Sequence, residues 1–248
     1  MDLVLYAVWC FAVAVVGGLV GLVLGNIRLP ATLLLASNAA AGTGANLLVS
    51  AAAAGTASIA HLRAGRVDWR LFAWMAPPSI VAALIGGYVS GVLPRTALLL
   101  VIAGVLAQAS WSMFRWKPRV ATAGDDDGFD GRAAAITGAV IGFLGGVVGL
   151  ILGSLRMPAL LKYVHVPIRR AAGTNVVVGF LVGVAGAVGH LPSQPPDWTV
   201  AAVGCAASIP GALVGARLTG RLSEAQLARA LAWILAVVSV ATAVEAVA

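Results

Sequence analysis

GLVLGNIRLPATLL, residues 21–34, returns as GLILGSLRMPALLK at residues 149–162. Each copy ends a long apolar run and carries a guanidinium, Arg28 or Arg156, two residues before a proline. A cation there is expensive inside a bilayer and marks a working position. Its occurrence twice points to a two-fold anion site in a membrane transporter.

Composition sets the class. Of the 248 residues, 60% are hydrophobic and 10% charged, and the mean hydropathy is +0.99. That describes an all-α polytopic membrane protein, because no soluble core of this size needs so much apolar surface. The N-terminal run from Leu3 has no basic leader and is too long for a signal peptide, so it reads as mature structure. The net charge of +7 comes from basic residues in short gaps between apolar runs. There they act as topology signals beside anionic headgroups, and nucleic acid is not an expected partner. Cys10 and Cys205 lie inside apolar segments with no metal-ligand spacing, so they read as small core residues. No metal or other cofactor is implied.

The duplication extends well beyond the phrase. At an offset of 128, Gly17, Gly18, Gly21, Gly25, Arg28 and Pro30 meet Gly145, Gly146, Gly149, Gly153, Arg156 and Pro158. At an offset of 129, Asn46, His61, Asp68-Trp69 and Gly86 meet Asn175, His190, Asp197-Trp198 and Gly215. Two homologous repeats, 1–116 and 133–248, therefore flank a polar linker, 117–132, that carries Asp125-Asp126-Asp127. Each repeat holds four apolar segments: about 3–24, 31–62, 71–92 and 96–114, then 133–152, 159–189, 199–218 and 227–247. The second segment of each is too long for a simple span of about 20 residues. A short helix, a break and a full helix are expected there.

Simple threading of all eight segments leaves seven basic residues on each side, against the positive-inside tendency. If the first segment of each repeat instead enters, breaks at the Arg-x-Pro phrase and returns, each repeat crosses an odd number of times. The repeats are then inverted, with thirteen basic residues on one face and Arg95 alone on the other. The charge asymmetry favours this re-entrant, inverted threading over the parallel one.

The phrase has chemistry of its own. Its glycines offer a smooth face for close helix approach. Gly25 with Pro30, and Gly153 with Pro158, are the expected helix-break positions, since proline lacks an amide proton and constrains the residue before it. Broken helices at matched positions of two repeats point to a transporter's substrate site. A helix restarting there presents free amides and a positive dipole end, to which Arg28 or Arg156 adds a planar fork of donors suited to oxyanions. The plainer alternative is that each arginine snorkels or ties down a carbonyl. Asn26 and Ser154 offer further polar contacts. Thr43 and Asn46, with Thr174 and Asn175, either line the path or cap the long helix. Asn38 is a further lining candidate, without a counterpart. His61 and His190 end the second segments and are candidate gates, or interfacial residues with no such role. Trp9, Trp69, Trp116 and Trp198 fit an interfacial belt.

These residues resemble the TauE/SafE sulfite-exporter family. The resemblance rests on the glycine-rich runs Gly17–Pro30 and Gly145–Pro158, the Ala-Gly-Thr steps at 41–43 and 172–174, and the ending His61, Gly65, Asp68, Trp69. It implies a two-repeat permease for small, often sulfur-containing oxyanions or organosulfonates in the cell's inner (plasma) membrane. Where the family's run carries three consecutive glycines, this chain reads Val23-Leu24-Gly25 and Ile151-Leu152-Gly153, and an apolar position has become arginine.

The functional expectation is a secondary carrier for a small anion, working by rocking of the two repeats, with an anion-selective channel as the alternative. Enzymatic signatures such as HExxH, GxSxG or clustered carboxylates are missing. None of the nine acidic residues lies mid-bilayer, so the usual carboxylate proton relay is missing too. A divalent anion leaving a negative interior gains about 4–5 kcal/mol per 100 mV, which favours export. The bilayer and a small anionic substrate are the expected partners. The oligomeric state is not legible in the sequence.

Overall fold

A computed structural model describes residues 2–88, 95–115, 129–148, 150–164, 166–190 and 195–247. Among these the chain forms ten α-helices and one π-helical turn, and no strand. The helices are α1 (Leu3–Val20), α2 (Gly25–Leu33), α3 (Ala39–Arg63), α4 (Trp69–Tyr88), α5 (Arg95–Phe114), α6 (Gly131–Val148), α7 (Gly153–Ala159), α8 (Ile168–His190), α9 (Trp198–Leu218) and α10 (Glu224–Val247). The π turn, Leu160–Val164, continues α7. Six helices contain stretches long and apolar enough to cross a membrane, and the runs Leu99–Phe114 and Gly131–Val147 are shorter apolar helices. Outward faces are apolar as well: Trp233, Val237, Val240 and Val244, at helical spacing along α10, are all exposed. An apolar stripe of that kind suits lipid, not water.

Aspartate starts several of these helices. Asp68 accepts from the Leu71 amide at 2.9 Å, Asp197 from Val200 at 3.2 Å and Asp130 from Ala133 at 2.9 Å. Each satisfies an amide that the first turn leaves without a partner. Asn38, read above as a lining residue, does the same for α3 through the Ala41 amide at 2.9 Å. Asp130 also moves a boundary. α6 begins at Gly131, so the last residues of the expected linker are helix. The Asp125–Asp127 run and Trp116 lie outside the described residues.

The interruption of the first apolar run falls at residues 21–24, ahead of Arg-x-Pro. α1 ends on Gly21, whose φ of +70° is the left-handed conformation that glycine adopts without strain. The Gly17 carbonyl accepts from Leu22 N at 2.8 Å, and Gly145 accepts from Leu150 N at 3.0 Å at the matching place. Pro30 and Pro158 instead lie inside α2 and α7. This corrects their assignment as break residues: proline removes one ladder bond from a short helix, whereas at Gly21 a left-handed cap ends α1. Gly25 and Gly153 are the first residues of the restarted helices.

Contacts between helices fix their directions. α1 and α9 run parallel, with Tyr6 near Gly204, Phe11 against Gly211 and Val15 against Gly215. A Cβ on Gly215 would stand 2.0 Å from the Val15 carbonyl oxygen, so only glycine permits this approach. α4 and α6 make the matching parallel pair: a Cβ on Gly142 would lie 2.4 Å from the Ser79 oxygen, and one on Gly86 2.3 Å from that of Phe143. α3 and α8 are antiparallel, with Gly55 against Phe180 and Ala51 against Gly183. So are α5 and α10, where Ser110 donates to the Ala232 carbonyl and Ser239 to that of Ala103.

Gly21 and Gly65 both have positive φ, yet they differ in surroundings. A Cβ on Gly21 would meet Ala172 Cα at 2.4 Å, whereas nothing lies within 4 Å of one on Gly65. Gly65→Ala is expected to cost about 1–2 kcal/mol of backbone strain, a drop of about 2–8 °C in apparent Tm. Gly21→Ala adds a backbone collision and is expected to yield little monodisperse protein. Size-exclusion and thermal melts in detergent check both.

Candidate functional site

Arg28 sits in the first turns of α2 and is only 2% exposed. Its Nε donates to Asn46 Oδ1 at 3.0 Å, and its Nη2 donates to the Asn46 carbonyl at 3.3 Å and to Ser50 Oγ. Asn46 completes the clasp by donating from Nδ2 to the Gly25 carbonyl at 3.1 Å. One amide side chain on α3 thus holds both the guanidinium and the start of its helix. Gly25 is what lets α3 come so near, since a Cβ there would stand 2.8 Å from Ser50 Oγ.

Arg156, 1% exposed, repeats the arrangement with fewer partners. Its Nη1 donates to Asn175 Oδ1 at 3.2 Å and approaches the Asn175 carbonyl at 3.5 Å. Asn175 Nδ2 donates to Gly153 O at 3.2 Å and to Gly21 O at 2.7 Å. The second bond ties the second repeat's asparagine to the interruption of the first. Arg156 Nε, also buried, has no partner among the described residues. Among the described residues neither guanidinium meets a carboxylate. Holding an unneutralised cation out of water costs several kcal/mol unless something else compensates.

A small cavity borders Arg28. Gly17, Gly18, Leu22, Val23, Leu24, Ala54, Ala57 and Ala212 help to line it, and Arg156 does not border it. The two arginines therefore do not share this cavity. Val23 lines the cavity, its Cγ2 lies 3.0 Å from a Cβ position on Gly179, and its backbone nitrogen lies 3.4 Å from one on Gly153.

The remaining candidates scatter by role. Asn26 is buried and donates to Thr242 on α10 at 3.3 Å. Ser154 is buried in α7, and Thr43 lies in the first turns of α3, half-buried. Thr174 accepts from the Asp68 amide and donates to the Arg170 carbonyl, both at 2.9 Å, so its hydroxyl anchors the α3–α4 loop. His61 is fully buried, and neither ring nitrogen makes a well-formed hydrogen bond among the described residues. His190 is the last residue of α8, and its side chain lies outside the described residues. Ser50, absent from the sequence reading, is a direct partner of Arg28. Comparing the repeats hid it, because its counterpart is Gly179. Of the tryptophans, Trp69 and Trp198 open α4 and α9 and are exposed.

Fold and site together define a multi-pass, all-helical membrane protein with a buried cation just after each of two interruptions in its helices. The family model for the sulfite exporter TauE/SafE matches residues 6–242. The chain belongs to that family of membrane transporters. No curated protein and no solved structure matches it.

Asn46→Ala removes an acceptor from a buried charge and the bond to Gly25. It is expected to destabilise by about 3–5 kcal/mol. Ser50→Ala, which leaves Asn46 in place, is expected to cost about 1–3 kcal/mol. Thermal or denaturant unfolding in detergent gives the ranking, with Asn46→Ala the worse.

Proposed function

We propose that the protein is a secondary carrier that exports a small anion, such as a sulfur oxyanion or organosulfonate. The carrying observation is the pair of buried guanidiniums without carboxylate partners. An anion supplies the charge that the chain omits. Arg28 is the site's first contact, because it borders the cavity and its Nε and Nη2 are pinned by Asn46 and Ser50. A pre-organised donor of this kind costs little to order when substrate arrives.

The helix directions support an inverted pair of repeats, 1–116 and 133–248. α1 leaves one face and α2 returns toward it, since Thr32 near the end of α2 bonds Tyr6 near the start of α1 at 3.2 Å. α6 leaves the other face. The ends of α3, α5 and α9 gather there with the starts of α4, α6, α8 and α10, through Asp68–Thr174, Arg66–Ala216, Arg169–Leu222 and Phe114–Trp233 contacts. Arg63, Arg66, Arg70, Arg115, Arg132, Lys162, Arg169, Arg170, Arg217, Arg221 and Arg229 belong to this face, and Arg95 to the opposite one. By the positive-inside rule the crowded face is cytosolic, in the inner (plasma) membrane.

Two experiments test this reading. In proteoliposomes, saturable counterflow of sulfite is expected, reduced about 100-fold or more by Arg28→Gln with folding retained. A loss of that size corresponds to about 2.7 kcal/mol of binding. Single-channel currents without counterflow would mark a channel instead, and unchanged flux in Arg28→Gln would end the anion-site reading. For threading, Arg63→Cys and Lys162→Cys are expected to react with an impermeant thiol reagent from the same face, and Thr96→Cys from the other, in a background without Cys10 and Cys205. Labelling of Arg63→Cys and Lys162→Cys from opposite faces would restore parallel repeats.

A further inference from the structure

We infer that Arg66 and Arg169 together form a binding site for a tetrahedral oxyanion at the face where α9 ends. The site is separate from the cavity beside Arg28, which neither residue lines, and it stands apart from the carrier reading.

Packing places the two side chains together. Arg66 lies in the turn between α3 and α4, and Arg169 in the first turn of α8. Arg66 Nη1 donates to the Ala216 carbonyl at 2.9 Å, and its Nη2 fills the space that a side chain on Gly220 would need. Arg169 Nη2 donates to the Leu222 carbonyl at 2.6 Å. Both guanidiniums therefore rest on the stretch 216–222. On the α8 side, a Cβ on Gly173, one turn after Arg169, would stand 3.2 Å from the Arg66 Cβ. The charges are near enough to feel each other. Burial and the Arg169 charge both lower the Arg66 pKa.

Helix capping explains part of this arrangement. A guanidinium beside the last carbonyls of α9 opposes the negative end of that helix. Capping uses few of the donors on each fork, and it does not account for the rest. Arg169 also stands at the positive end of α8, a helix of 23 residues, where a cation is disfavoured. Its Nε is buried and has no partner among the described residues. A charged donor left open in that way is costly. The chain supplies no counter-charge: Asp68 Oδ1 caps α4 at Leu71, and no carboxylate pairs with either arginine among the described residues. Exposed Arg170, Arg217 and Arg221 add further positive charge at the same face. Two fixed cations with an open donor between α8 and α9 fit an anion that accepts from several N–H groups at once. Phosphate and sulfate oxygens do this. The oxyanion comes from a phospholipid headgroup or from solution, and the recognising chemistry is the same.

The test compares the full-length protein with Arg66→Gln, Arg169→Gln and Arg132→Gln, the last removing one charge from the same face outside the pair. One arm titrates each protein in detergent with phosphatidylglycerol and with phosphatidylcholine, and counts bound lipid by native mass spectrometry. The other follows thermal stabilisation by sulfate in phosphatidylcholine nanodiscs. A headgroup site gives preferential phosphatidylglycerol binding that weakens about tenfold or more in Arg66→Gln and Arg169→Gln and holds in Arg132→Gln. A site for a free ion gives that pattern with sulfate. Should Arg169→Gln fold poorly, Arg169→Lys keeps the charge, removes the Nε–H and is expected to lose as much. No binding in either arm overturns the site, as do equal losses in Arg132→Gln or none in the folded Arg66 and Arg169 variants. Sulfate stabilisation that survives in those variants but disappears in Arg28→Gln overturns it while leaving the carrier reading in place.

Discussion

The constraint on which the rest of this structure depends is the solvation of two guanidiniums buried in the protein and, among the described residues, without a carboxylate partner. Each is met by an asparagine reaching from the next long helix, which also holds the carbonyl of the glycine that begins the arginine's own helix. Neutral dipoles lower the cost of burial without cancelling the charge. A carboxylate in the same place would stabilise the protein further and would compete with any anionic substrate. Amide and carbonyl partners leave each cation fixed in place and still positive.

Backbone proximity makes this arrangement possible. Asn46 can span from Arg28 to Gly25 only because α2 and α3 approach without an intervening side chain, and Ser50 crowds the same glycine. At the periphery, glycines on α9, α6 and α4 let helix backbones touch where lipid provides no hydrophobic drive for association. Packing of small residues and hydrogen-bonded mooring thus share the work that a large apolar core performs in a soluble protein.

Much of this was legible in the sequence, because hydropathy and duplication are physical signals that a chain cannot easily hide. Long apolar runs and the repeated placing of Arg28 and Arg156 follow from them, whereas the short helix α2 begins at Gly25, ahead of the run from about residue 31 that was expected to hold it. The location of each interruption did not follow from them. Pro30 invites the reading of a break, but a proline in a short helix forfeits one bond, whereas Gly21 ends α1 by turning left-handed. Polar residues in apolar surroundings were equally ambiguous. Thr174 and Asn38 read as path-lining yet tie down a loop and cap a helix, because sequence alone does not reveal where a hydroxyl or amide points. Ser50 escaped notice for the opposite reason: matching the repeats selects what they share, and Ser50 belongs to one of them.

The parallel pairs formed by α1 with α9 and α4 with α6 carry a mechanical consequence. Each pair takes one helix from either side of the linker, and their backbones are pressed together too closely to slide past one another. The genetic halves are therefore not the bodies that can move as blocks. Any large displacement carries α1 along with α9, and α4 along with α6, so the chain can hinge in its short turns and not at the linker between its two halves. A chain cut between its repeats would yield two fragments, each missing the neighbour that completes its outer wall.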